Sequence, residues 1–83
     1  MHILILGGGG FLGRRLAKEL IQNGGLAQGE IDRLTLVDIA FADDRLHDSR
    51  LEYIEADFSD EVTITNILQQ HPDVIFHLAD QVY

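Results

Sequence analysis

Four consecutive glycines, Gly7-Gly8-Gly9-Gly10, separate the apolar run Ile3-Leu4-Ile5-Leu6 from a segment of helical periodicity. The run lacks the in-out alternation of a half-exposed strand, so it predicts the buried centre of a parallel sheet. From Phe11 to Gln22 the period changes. Leu12, Leu16 and Leu20, with Ala17 and Ile21 beside them, recur on one stripe, while Arg14, Arg15, Lys18, Glu19 and Gln22 take the opposite face. Asn23-Gly24-Gly25 then ends the helix, as Asn and Gly do at a C-terminus. A buried strand followed by a sharp turn and an amphipathic helix constrains what comes next: the chain must return with a strand parallel to the first through a right-handed crossover.

The remaining residues supply such strands. Leu26 to Asp32 is a polar connection without a defined element, and Leu34-Thr35-Leu36-Val37 is a second strand with Asp38 at its end. Ala40 to Arg50 is loop-like and holds at most one short helical turn. Leu51 to Glu55 is a third strand, running out through Ala56-Asp57-Phe58. Ser59 or Asp60 is suited to cap a second helix, with Ile64, Ile67 and Leu68 on one face, predicted to reach Gln70. Pro72 keeps His71 out of helical backbone angles. Val74 to Leu78 is a fourth strand, and Tyr53 and Phe76 are expected in the core or at its margin. The order β-α-β-β-α-β predicts an α/β fold: part of a doubly wound parallel sheet, strand order 3-2-1-4, in a single unit spanning 1–83. The fourth strand would then stand as an unpaired apolar edge.

Composition narrows the function classes. Fourteen Asp and Glu against six Lys and Arg give a formal charge of -8, so nucleic acid and anionic membranes lack the basic footprint they need. The absence of cysteine excludes disulfides, thiolate nucleophiles and Cys-ligated zinc. No apolar run approaches the roughly 20 residues of a membrane span, and Met1-His2 offers neither a basic n-region nor a cleavage site; a cytoplasmic location is the expectation. His71, Asp73, His77 and Asp80 lie on a turn and a strand where their side chains need not converge on a metal. Asp43, Asp44 and Asp48 lack the glycine and terminal glutamate of a calcium loop.

Gly7, Gly10 and Gly13 have G-x-x-G-x-x-G spacing at the carboxyl end of the first strand. There a chain can offer backbone N–H groups and a helix N-terminus to a pyrophosphate. Side chains at Gly7 or Gly10 would obstruct the turn or the phosphate, and one at Gly13 would push the helix off the sheet. The competing P-loop pattern fails: Gly8 and Gly13 have its spacing, but Arg14 and Arg15 stand where Lys and Ser or Thr are required. Asp38, ending the second strand, is placed to accept from the ribose 2′- and 3′-hydroxyls and to repel a 2′-phosphate, which favours NAD over NADP. It lies 25 residues after Gly13, and the segment Asn23 to Asp32 accounts for the length. The alternatives are a glycine connection without a ligand, an Asp38 that caps a loop, and an Arg14-Arg15 pair on a solvated helix face.

Four motifs in order, Leu6-Gly7-Gly8-Gly9-Gly10-Phe11-Leu12-Gly13, Leu34-Thr35-Leu36-Val37-Asp38-Ile39, Glu55-Ala56-Asp57-Phe58-Ser59-Asp60 and Val74-Ile75-Phe76-His77-Leu78-Ala79, resemble the NAD-dependent epimerase/dehydratase family, the extended short-chain dehydrogenases. The resemblance implies a Rossmann-type sheet and NAD as cofactor. It implies that Phe11 and Leu12 set amides near the pyrophosphate and that Asp38 holds the ribose, with Ile39 near the adenine. Asp57 would accept from the adenine amino group, the Phe58 backbone would meet the ring edge, and Leu78 and Ala79 would line the cleft. The implied substrate is a small sugar acid oxidised at a CH–OH group, or a sugar nucleotide, in a full-length protein for which a homodimer is open. Two positions depart from the family pattern: Leu6 where Thr usually precedes the first glycine, and Asp80 where a small residue usually follows.

The family's Tyr-x-x-x-Lys pair is absent. The tyrosines are Tyr53 and Tyr83, the only lysine is Lys18, and Asp57 stands four residues after Tyr53. The resemblance therefore implies that the 83 residues are the cofactor-binding N-terminal half of a domain, without its catalytic and substrate-binding parts. The open readings are the front of an NAD-dependent dehydrogenase or epimerase, a non-catalytic NAD-sensing module, and an incomplete product. A short core with an open apolar edge predicts marginal stability for the isolated chain. Calorimetry should show a broad, low-temperature transition; a cooperative melt of a monomer at high temperature would contradict this.

Overall fold

The computed structural model describes residues 1–27, 29–57 and 59–78. The elements in chain order are β1 (His2–Leu6), α1 (Phe11–Asn23), β2 (Gly25–Leu26), β3 (Gly29–Glu30), β4 (Arg33–Asp38), β5 (Leu51–Glu55), α2 (Glu61–Leu68) and β6 (Val74–His77). Four of the strands form one parallel sheet in the order β5-β4-β1-β6, which is the expected 3-2-1-4 arrangement. Ile3 pairs with Leu34 on one side and with Val74 on the other. Among the described residues β6 takes only β1 as a partner and lies at the edge.

The absence of alternation in β1 and β4 is explained by cover on both faces. Ile3 and Ile5 pack with Leu34, Leu36, Ala17, Leu20 and Ile31 on the side of α1. Leu4 and Val37 pack with Ile67 on the side of α2. All of these are buried. At the edges cover is partial: Tyr53 and Phe76 are half-buried against the α1-side cluster, and Ile75 is 48% exposed.

Three local expectations are corrected. The segment after α1 is not featureless: β2 and β3 form a two-residue antiparallel ladder, Gly25 opposite Glu30 and Leu26 opposite Gly29. This folds Ile31 into the core at 4% exposure. α1 ends as foreseen, with Gly24 in the left-handed region (φ 80°) donating to the Leu20 carbonyl. α2 stops at Leu68 instead of Gln70, because Gln69 and Gln70 close tight turns onto Thr65 and Ile67 before His71 and Pro72 redirect the chain. Leu12, placed on the apolar stripe by periodicity, stands 65% exposed. The buried face of α1 centres on Gly13, Ala17 and Leu20, and Leu12, about 100° round the helix from Gly13, falls off its flank. Leu68, likewise, is 40% exposed.

The end of the sheet away from the glycines is closed by polar contacts. His2 is buried, and its Nε2 lies 2.8 Å from the Thr35 hydroxyl, which donates to Glu52 at 3.1 Å. A hydroxyl has one proton to give, so Nε2 must carry the ring hydrogen and donate to Thr35. Arg33 joins the same Glu52 oxygen at 2.7 Å. Asp73 accepts from the His2 backbone N–H at 2.7 Å and returns a bond to the His2 carbonyl at 2.8 Å.

Burial, followed by the nearby Arg33 charge, lowers the His2 pKa from 6.5, against opposing contributions from Glu52, Asp73 and the Gln70 backbone. A histidine depressed in the folded state leaves stability intact above its unfolded pKa and erodes it as pH falls below that value. The urea midpoint should therefore fall from about pH 7 to about pH 5.5, and His2→Gln should flatten that fall. The same profile in both chains would remove His2 as its source.

Candidate functional site

The glycine turn sits at the carboxyl end of β1, where the sheet changes direction: α1 leads to β4 on one side of β1, and α2 brings β6 to the other. In open parallel sheets this switch point forms a crevice for ligands. The turn extends the sheet pairing, with Gly7 N–H and Gly8 N–H both donating to the Val37 carbonyl, at 2.8 and 3.2 Å. Gly7 has φ 89°, a conformation that disfavours any side chain.

Steric demand falls on Gly13, which the spacing singled out, and also on Gly8 and Gly9, which it did not. A Cβ on Gly8 would lie 2.6 Å from Leu36 Cβ, and one on Gly9 would strike the Ala40 carbonyl oxygen. A Cβ on Gly13 would lie 2.5 Å from the Gly7 carbonyl oxygen and 2.6 Å from Gly8 Cα. The Gly13 clash is thus with the turn, whereas sequence analysis placed it between helix and sheet. Gly10 is looser: its Cβ would meet only the Gly7 carbonyl oxygen, at 3.8 Å, so among the described residues nothing forbids a side chain there, and the expected demand on Gly10 is left to the phosphate. Gly8 and Gly9 were passed over because their neighbours, Leu36 and Ala40, are remote in sequence.

α1 begins without a cap. Gly10 has no side chain to offer, and the first turn contains no acidic residue. Among the described residues no hydrogen bond engages the N–H groups of Phe11, Leu12 or Gly13. α2 differs, being capped by Asp60 with Glu61 in its first turn. Phe11 and Leu12 project at 77% and 65% exposure beside the bare amides. An uncapped, positively polarised helix end that a Cβ-free turn leaves accessible suits an anion.

Asp38 ends β4 beside this turn. Its Oδ2 accepts from Gly9 N–H at 2.9 Å and its Oδ1 from Ile39 N–H at 2.7 Å. The carboxylate therefore braces the glycine turn, which is what the loop-cap alternative expects of it. Ile39 is 72% exposed. The Ala56 N–H donates to the Asp38 carbonyl at 2.9 Å, which brings Asp57 to the same edge of the sheet. Asp57 Oδ1 accepts from the Ser59 hydroxyl at 2.6 Å and from Ser59 N–H at 2.9 Å, and these two bonds lower its pKa. Leu78 N–H donates to the Leu6 carbonyl at 2.8 Å, placing Leu78 on the other side of the turn. The sheet thus brings Gly7, Gly10, Phe11, Leu12, Gly13, Asp38, Ile39, Asp57 and Leu78 to one edge. Phe58, Ala79 and Asp80 lie outside the described residues.

Comparison with known proteins agrees with this geometry. The profile of the NAD dependent epimerase/dehydratase family matches residues 3–83. The D-erythronate dehydrogenase of Cupriavidus necator is 40% identical over 83 residues, covering 95% of this chain and 25% of that protein. The solved structure of the nucleoside-diphosphate-sugar epimerase from Agrobacterium tumefaciens matches with a TM-score of 0.82 at 32% identity, over 99% of this chain and 24% of that one. DesIV, a dTDP-glucose 4,6-dehydratase from Streptomyces venezuelae solved with NAD bound, matches with a TM-score of 0.78 at 25% identity, over 100% of this chain and 27% of that one. The chain spans about a quarter of the length of each.

The glycine contacts order a substitution series. Gly13→Ala should cost about 3 kcal/mol of stability through forced overpacking, whereas Gly10→Ala should cost about 1 kcal/mol or less, the usual penalty for alanine at an N-cap. Denaturant titration of both variants checks the order; equal losses would contradict the turn geometry.

Proposed function

The chain belongs to the NAD dependent epimerase/dehydratase family, and from that premise we propose that it is the NAD-binding N-terminal half of a Rossmann-type domain in an oxidoreductase acting on the CH–OH group of a short sugar acid. The observation that carries the cofactor assignment is the uncapped start of α1 set directly beside Asp38. The amides of Phe11 and Leu12 receive the pyrophosphate, and Asp38 accepts from the adenosine ribose while bracing Gly9. Ile39 flanks the adenine, the Asp57 carboxylate accepts from its amino group, and Leu78 lines the far wall of the cleft. NAD, when bound, supplies the hydride acceptor. The chain's own contribution is to bind it, orient it and fix its register on the sheet.

Identity to D-erythronate dehydrogenase supports the sugar-acid substrate. Likeness to a nucleoside-diphosphate-sugar epimerase and a dTDP-glucose dehydratase supports a second reading, a sugar-nucleotide substrate. In either case the Tyr-x-x-x-Lys pair is missing from these 83 residues, and we assign catalysis to a part of the protein outside them, acting in the cytoplasm.

Asp38→Ala removes a charged acceptor and should weaken NAD binding about tenfold or more while narrowing the preference over NADP. Asp38→Asn keeps an acceptor for Gly9 N–H and should narrow the preference with a smaller loss of stability. Calorimetric titration with both cofactors checks this. NADP binding to the unmodified chain as tightly as NAD would overturn the cofactor assignment.

A further inference from the structure

The connection from β4 to β5 contains no helix. Beyond α1, on the side of β5, the face of the sheet is therefore covered by residues 41–46, and a groove of 740 Å³ opens between that segment and α1. We propose that this groove is a binding site for a phosphomonoester, held by Arg15 and Lys18 from α1 and by Arg45 from the facing segment.

The argument starts from charge. The chain carries six Lys and Arg against fourteen Asp and Glu, yet four of those six cations, Arg14, Arg15, Lys18 and Arg45, line this one groove. The other two are engaged elsewhere: Arg33 with Glu52 at 2.7 Å and Arg50 with Asp48 at 2.8 Å. Arg50 holds the Asp48 carboxyl at about 2. Within the groove, Arg14 reaches Asp44 at a long 3.4 Å, with the two side chains 48% and 81% exposed, a pairing of little strength. Arg15 and Lys18 form no ion pair among the described residues. Asp44 and Glu19 are the acidic groups lining the groove, so its wall is net positive in a protein that otherwise repels anions.

The second element is organisation. Arg14 and Lys18 are one helical turn apart and project on the same side of α1, with Arg15 adjacent. Across from them the Arg45 guanidinium stacks 5.8 Å from the Phe41 ring centre and 5.0 Å from that of Tyr53. The two rings meet edge to face at 5.0 Å. The stacked guanidinium loses less freedom on binding than a free one and presents a planar fork, which matches phosphate oxygens. A phosphomonoester is largely a dianion at about pH 7.5. It can satisfy cations on both walls together, which a single carboxylate does less well.

The site is distinct from the pyrophosphate position assigned to the start of α1, although Gly8, Gly9 and Phe11 border both. It does not depend on the NAD reading. The ligand it takes is a separate phosphorylated sugar; a phosphate on the 2′ position of the adenosine ribose, which Asp38 disfavours, is the outcome that would overturn this.

The test is a titration of the chain with ribose 5-phosphate at fixed ionic strength, followed by the NMR signals of arginine Nε and backbone amides. Shifts should concentrate on Arg14, Arg15, Lys18 and Arg45, and the double variant Arg15→Glu, Lys18→Glu should raise the dissociation constant about tenfold or more. Should the charge reversals prevent folding, Arg15→Gln, Lys18→Gln removes the charges without adding repulsion and serves the same comparison. Shifts spread equally over Arg33 and Arg50, or an affinity unchanged in the variant, would overturn the proposal. Repetition with saturating NAD separates the sources. Ribose 5-phosphate that still binds identifies an independent ligand. If NAD displaces it and 2′-AMP binds with the same dependence on Arg15 and Lys18, the phosphate is the cofactor's own and the proposal is overturned. Loss of NAD binding with ribose 5-phosphate still held through Arg15 and Lys18 would count against the cofactor reading and leave the groove standing.

Discussion

At Gly8 and Gly9 the turn between β1 and α1 has no room for side chains, nor has Gly13 where the helix begins, and the rest of the molecule is arranged around that fact. Gly8 lies against Leu36, Gly9 against the Ala40 carbonyl, and Gly13 against the Gly7 carbonyl. These contacts let α1 start close to the sheet, and they bring the Val37 carbonyl within reach of two successive N–H groups. Asp38 completes the arrangement by accepting from Gly9. A longer side chain at any of the three positions would lift the helix or push the turn off β4, taking with it both the bare amides and the carboxylate that braces Gly9.

The two faces of the sheet are unequal in cover. α1 and Ile31 protect one side of β1 and β4, and α2 protects the other through Ile67. Toward β5 the α1 side has only the 41–46 segment, pinned by Arg45 between Phe41 and Tyr53 and by the Tyr53 hydroxyl, which donates to the Leu46 carbonyl. Replacing a helix by a short loop costs apolar burial, which is why Tyr53 remains half-buried while its sheet partner Leu36 is fully enclosed. The same economy leaves open the space into which the cations of α1 project.

Much of this was legible in the sequence because it rests on local pattern. Unbroken apolar runs marked β1 and β4, the period change at Phe11 marked α1, and Asn23-Gly24 marked its end. Strand order followed from the alternation of elements, and the family from four motifs in order. What escaped depended on partners distant along the chain. The demands on Gly8 and Gly9 come from Leu36 and Ala40, and no spacing rule contains them. Ile31 looked like part of a polar connection, since nothing nearby reveals that a two-residue ladder turns it inward. Leu12 fits a helical stripe by period, but the face that packs is centred on Gly13, Ala17 and Leu20, and a glycine gives no apolar signal of it. Asp38 was assigned to a ligand with a loop cap as the alternative, and its bond to Gly9 depends on the path of the glycine turn past the end of β4, which strand order alone does not give. The grouping of Arg45 with α1 was invisible for the same reason.

The central position of β1 has a consequence for how the chain reaches this state. Ile3 must find Leu34 and Val74, and the reciprocal bonds between His2 and Asp73 close the sheet between its first and last strands. The most apolar segment thus leaves the ribosome before either of its strand partners and is the last to be flanked on both sides. Loop closure on this scale precedes the contacts that reward it, so folding should be slow for a chain of this size, with Ile3-Leu4-Ile5-Leu6 exposed in the interval. Protection of that segment before β6 arrives, by a chaperone or by early docking of β4 and α1, becomes a condition of obtaining the native sheet at all.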